Sequence, residues 1–213
     1  DLGRVLGLAQ LPGRGLDSVR AILTRDLEYS DRFDVIALGP QDSTAAAANT
    51  GSWTVNYSLF RTLGAEYAVE LALDGAGTAV RLHDITAGAM RHDERFALPA
   101  AFDVGFRMAV HRAADEVVRW ITGTPGAAAS QLLFLVERKL YRVDSDGAAV
   151  TQLSAPGEDI LSPVWSPDGG RIAYTRFGAG VGSIVVQVVG SGQRTTVPGT
   201  TSALNITPAF SPD

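Results

Sequence analysis

The chain has 213 residues, 46% hydrophobic and 19% charged, which is enough apolar material for a buried core in one large domain or two small ones. With 18 basic against 23 acidic residues, a formal net charge of -5 and no Lys/Arg block, it lacks the electrostatic footprint of a nucleic-acid binder. The absence of cysteine excludes disulfides, thiolate zinc sites and cysteine nucleophiles, and no apolar run approaches the roughly 20 residues that a membrane-spanning helix needs.

Residues 4–9 (RVLGLA) read as a short buried strand, and residues 17–30 (DSVRAILTRDLEYS) as a helix whose first turn Asp17 or Ser18 can cap. Residues 33–38 (FDVIAL) predict the next strand. After the small-residue loop DSTAAAANTG, Trp53, Tyr57 and Phe60 fall at i, i+4 and i+7 and stop at Gly64, which predicts a second helix. EYAVELAL and GTAVRLHDI flank DGAG, so Asp-Gly turn chemistry between two alternating runs predicts an antiparallel hairpin, with a third strand near ERFAL. Beyond Asp103 the apolar positions Phe106, Val110, Ala113, Val117 and Ile121 step by four, three, four and four and end at Gly123, the strongest helical period in the chain. The expected order is β-α-β-α-β-β-β-α, an α/β N-terminal domain over residues 1–125 with a mixed sheet covered by helices.

Helical periodicity disappears after GTPGAAASQ (123–131), a Gly/Pro/Ala/Ser connector. LLFLVE, KLYRVD, AAVTQL, RIAYTRF, SIVVQVV and RTTVP are short β-type runs separated by SDG, SPDGG and GSG, at the spacing of small antiparallel sheets. Part of ILSPVWSPDGG (160–170) returns 45 positions later in ITPAFSPD (206–213): Ser162 faces Thr207, Pro163 faces Pro208, Trp165 faces Phe210, and Ser166, Pro167 and Asp168 recur as Ser211, Pro212 and Asp213. Gly147 and Gly192 keep the same register upstream. This period is that of a four-stranded propeller blade.

Ser166, Pro167, Asp168 and Gly169 have the preferences of a type I turn, and Trp165 or Phe210, just ahead of the turn, can supply one large ring to the seam between neighbouring sheets. Trp165, Pro167, Asp168, Gly169, Phe210, Pro212 and Asp213 are therefore expected to be a structural repeat motif. Residues 126–213 are expected to begin an all-β propeller and to stop after roughly its first blade, the chain being a fragment of a longer protein.

No catalytic, cofactor-binding or metal-binding residue is expected. His111 and Asp115 lie at i and i+4 of the last predicted helix, but one histidine and one carboxylate make a poor metal site, and with only His83 and His92 elsewhere no triad is readable. A capped, hydrogen-bonded histidine at the domain interface is the expected role. LPGRGLDS (11–18) stands between a strand and a helix, yet with only Gly13 and Gly15 it is an incomplete phosphate loop and reads as a turn.

HRAADEVVRWITGTPG (111–126), the passage into LLFLV, then LYRVDSDG, ILSPVWSPDGGRIAYTRF and NITPAFSPD together resemble, in order and spacing, the TolB family of the Tol-Pal envelope system. LTRDLEYSDRFDV (23–35) and LGAEYAVELAL (63–73) resemble the family's N-domain more loosely. The resemblance implies a six-bladed propeller and a periplasmic, non-enzymatic protein without cofactor. It further implies binding to the peptidoglycan-associated lipoprotein Pal, possible contacts with other Tol proteins, and support of outer-membrane integrity and cell division. In the family, a segment ahead of the first strand engages TolA, and this chain begins at or just before that strand. The alternative is the propeller portion of a serine peptidase of the prolyl oligopeptidase kind, with its hydrolase domain outside this chain. That class needs a G-x-S-x-G elbow, and none occurs in these 213 residues.

Overall fold

A computed structural model of the chain describes residues 4–10, 16–36, 38, 55–74, 77–99, 103, 105–178, 181–200 and 204–212. They divide into two compact units, Asp1–Ala129 and Ser130–Asp213.

In the first unit, strands β1 (Arg4–Gln10), β2 (Phe33–Ile36), β3 (Tyr67–Asp74), β4 (Gly77–Asp84) and β5 (Ala89–Phe96) form one sheet in the order β2-β1-β3-β4-β5. β1 runs parallel to both β2 and β3, whereas β3, β4 and β5 form an antiparallel meander. The parallel pairs follow from their connections: helix α1 (Asp17–Tyr29) carries the chain back between β1 and β2, and helix α2 (Tyr57–Thr62) lies between β2 and β3. Asp74 pairs with Gly77 across the β3–β4 turn, whose two inner residues lie outside the described set.

Strand alternation decides which helix covers which face. Val69 and Leu71 on β3 pair with Leu82 and Val80 on β4, and all four join the core under α1 and helix α3 (Phe106–Thr122). Ala68 points the other way, into a smaller cluster with Phe60, Ala65 and Ile85. Phe106, Val110, Ala113, Val117 and Ile121 are all buried on α3, and the helix stops where Gly123 adopts φ 82° and donates its N–H to the Arg119 carbonyl.

Two local expectations are corrected. Neither Asp17 nor Ser18 caps α1: the N-cap is Leu16, without a side-chain hydrogen bond, and Leu16 is instead drawn into the core. The second helix begins later than expected, at Tyr57, because the Asn56 side chain accepts the Leu59 N–H at 3.1 Å and so sets its start. Trp53, Gly13 and Gly15 lie outside the described residues.

The second unit has no helix among its described residues. β6 (Gln131–Val136), β7 (Lys139–Asp144) and β8 (Thr151–Gln152) form a three-stranded sheet. β9 (Asp159–Trp165), β10 (Arg171–Gly178), β11 (Val181–Val188) and β12 (Arg194–Thr196) form a four-stranded sheet in the order β12-β11-β10-β9. Both sheets are antiparallel throughout. Leu140 from the first sheet and Ile160, Ile172, Tyr174 and Val185 from the second make one buried cluster, so the sheets pack face to face. β9 tolerates Pro163 because it is an edge strand, and its register shifts opposite the interval between Ala173 and Thr175.

Candidate functional site

The repeated motif is the feature that the sequence marks most strongly, and the structure places it between β9 and β10. Gly169 donates its N–H to the Ser166 carbonyl at 2.9 Å, closing the four-residue turn, and takes φ +68°, which a side chain would strain. Ser166 is the clamp. Its N–H meets the Arg171 carbonyl at 2.9 Å, while its hydroxyl accepts the Arg171 N–H at 2.9 Å and donates to Asp168 Oδ1 at 2.5 Å. Asp168 also accepts the Gly170 N–H at 3.0 Å. The Ser166 hydroxyl, and then the Gly170 amide, hold the Asp168 carboxyl below its ordinary range. Pro167, Asp168 and Gly169 themselves are exposed.

Trp165 is half-buried and packs against the cluster shared by the two sheets. Phe210 does something else: the Arg171 guanidinium lies 5.5 Å from its ring centroid, a cation–π contact with the turn of the preceding repeat. Pro212 is exposed, and Asp213 lies outside the described residues. The repeat extends to backbone conformation. Ser162 and Thr207, each followed by proline, have φ 49° and 56°, and Gly147 and Gly192 have φ 82° and 70°. A positive φ at a non-glycine residue is unusual, so its return at the same register is evidence of repetition independent of side-chain identity.

The turn makes a testable claim about charge. An Asp168 carboxyl depressed in the fold contributes stability above its unfolded value of about 3.9, and that contribution is lost as pH falls through the lower folded value. In a carbon-detected titration Asp168 is expected to have a midpoint below the ordinary value, and Ser166→Ala to move it upward. An unchanged midpoint would rule out the hydroxyl as its main cause.

A second polar network ties the elements of this unit together. Glu158 accepts from Arg194 at 3.2 Å and pairs with Arg176 at 3.6 Å. Arg194 also donates to the Leu153 carbonyl and to Gln187 Oε1, and the latter receives the Tyr174 hydroxyl at 3.1 Å. These groups satisfy one another and present no nucleophile with an adjacent base.

The first unit holds two buried clusters that sequence reading did not assemble. On one sheet face the Tyr57 hydroxyl lies 2.9 Å from His83 Nδ1, and His83 Nε2 lies 3.0 Å from Glu70. Arg81 bridges Glu70 and Asp93, each at 3.2 Å. Burial, then the charges of Glu70 and Asp84, push the Tyr57 phenol up, so it stays neutral and is a poor nucleophile. The second cluster involves the predicted pair on α3, although the two residues part company. His111 Nδ1 meets Asp26 of α1 at 2.6 Å, whereas Asp115 accepts the N–H groups of Ala128 and Ala129 at 2.7 and 2.9 Å. Asp26 was missed because no local pattern links it to a residue 85 positions away.

Among the described residues no group of His, Asp and Glu could hold a metal ion, and no helix is long and apolar enough to cross a membrane.

Residues 118–213 match the family model described as the TolB beta propeller domain. The Tol-Pal system protein TolB of Methylococcus capsulatus is 32% identical over 190 residues, covering 84% of this chain and 43% of that protein. The TolB of Alcanivorax borkumensis is 30% identical over 210 residues, covering 92% of this chain and 46% of that protein. The chain thus spans about half the length of the curated relatives it matches. The crystal structure of TolB from Acinetobacter baumannii superposes with a TM-score of 0.71 at 22% identity, covering 92% of this chain and 49% of that one, which shows a shared fold. The repeated motif, the face-to-face sheets and these similarities agree that the chain belongs to the TolB family, whose propeller model matches from the end of α3 through the second unit.

Proposed function

We propose that the protein containing this chain acts in the periplasm as a non-enzymatic component of the Tol-Pal system, its propeller binding the peptidoglycan-associated lipoprotein Pal. In that role it supports outer-membrane integrity and cell division. Residues 1–125 serve as an α/β N-terminal domain, and residues 126–213 open a propeller whose further blades complete the ring. The repeat motif Trp165, Pro167, Asp168, Gly169, Phe210, Pro212 and Asp213 is blade architecture, and partner contacts belong to the ring's surfaces.

The observation that carries this reading is the stretch from Gln131 to Thr196, where two antiparallel sheets share one core within a region similar to the TolB propeller. The buried polar groups agree with it: Asp26 and His111 join α1 to α3, Asp115 and Ser166 hold backbone amides, and in the Tyr57–His83–Glu70 chain the phenol is pushed up and is a poor nucleophile. The test uses the full-length protein as bait in an envelope extract. Recovery of the peptidoglycan-associated lipoprotein is expected, and its absence, while an established TolB recovers it in parallel, would reject the proposal.

A further inference from the structure

The segment 123–130, GTPGAAAS, has the composition of a flexible linker and carries no long side chain with which to anchor itself. Its order is imposed by α3. Gly126 donates its N–H to the Asp115 main-chain carbonyl at 3.2 Å, and Ala128 and Ala129 donate theirs to the two oxygens of the Asp115 carboxylate at 2.7 and 2.9 Å. One residue thus accepts three N–H groups from four consecutive positions. The approach is close enough to exclude a side chain: a Cβ on Gly126 would lie 3.1 Å from Asp115 Cα and overlap Oδ1. Ala128 packs against the core of the first unit.

The latch is held in place from behind. His111, one turn earlier on α3, is fully buried and bonded to Asp26 of α1, which fixes the rotation of this part of the helix. We infer that residues 126–129 are a strap latched to α3 by Asp115, a conformational device that is closed while the carboxylate accepts the two amides and becomes a free linker when it does not. Asp115 is a positioning residue in this scheme. Charge-assisted bonds to backbone N–H groups are stronger than neutral ones, which suits a latch.

The test is amide hydrogen exchange on the whole chain near neutral pH. The Ala128 and Ala129 amides are expected to exchange at least about tenfold slower in the unaltered chain than in Asp115→Asn, whose side-chain amide can accept only one of the two bonds. Gly126→Ala is expected to give the same loss with the carboxylate still present, while the amides of residues 110–120 keep their protection. Elastase cleavage after residues 127–129 should rise in parallel, because proteolysis follows the open population. Equal protection at Ala128 and Ala129 in all three proteins would overturn the inference, as would unprotected amides there in the unaltered chain. If Asp115→Asn also strips protection from α3, Gly126→Ala alone decides between these outcomes.

Discussion

Asp26→Ala is expected to cost the first unit about 1–3 kcal/mol, the range for removing one partner of a buried hydrogen bond and stranding the other. Asp26 and His111 are almost fully buried and 2.6 Å apart, so water cannot replace the lost carboxylate on His111 Nδ1. The pair also joins α1 to α3, whose apolar faces build most of this unit's core. A domain stability of about 5–15 kcal/mol leaves little reserve against such a loss. Asp26→Asn keeps the shape and one acceptor and should cost less than half as much. Denaturant unfolding followed by exchange of α3 amides measures both. A loss below about 1 kcal/mol for Asp26→Ala would place the pair with ordinary surface contacts.

Tyr174→Ala is expected to destabilise the second unit by about 3–5 kcal/mol, as for other large aromatic truncations in a core. Tyr174 is fully buried at the centre of the cluster between the two sheets, where its loss leaves a cavity that paired strands cannot readily close. Tyr174→Phe removes only the bond to Gln187 and should cost about 1 kcal/mol, since Gln187 still receives Arg194. The pair of variants separates ring packing from hydrogen bonding. Burial also raises the Tyr174 phenol above its ordinary value. A raised folded value means its contribution is intact below the unfolded value of about 10 and is lost as pH rises through the folded one. The unaltered unit should therefore lose stability in the alkaline range, and Tyr174→Phe should lose less. Equal alkaline sensitivity in the two would remove Tyr174 as the cause.

The helices were legible because their cores have a period of their own. Val110, Ala113 and Val117 announce α3 without reference to anything outside it, and Gly123 marks its end through a backbone angle that glycine accepts cheaply. The turn after Trp165 was legible for a similar reason, since Ser, Pro, Asp and Gly each have a local preference that the turn uses. β9 was harder to see. A proline and a residue at φ 49° interrupt its alternation, and only its position at a sheet edge makes that harmless.

What composition, period and repeat determined alone was the element pattern and the turn from Ser166 to Gly169, because these depend on interactions within a few residues. The 45-residue echo added the blade period in the same way, as a comparison of the chain with itself. Tertiary structure alone decided the partners. His111 went to Asp26 rather than to Asp115, Asp115 went to the connector, and Trp165 and Phe210 took different neighbours despite equivalent places in the repeat. Those choices depend on which distant segments arrive at a given point and on how much water they exclude there. No local preference encodes either quantity.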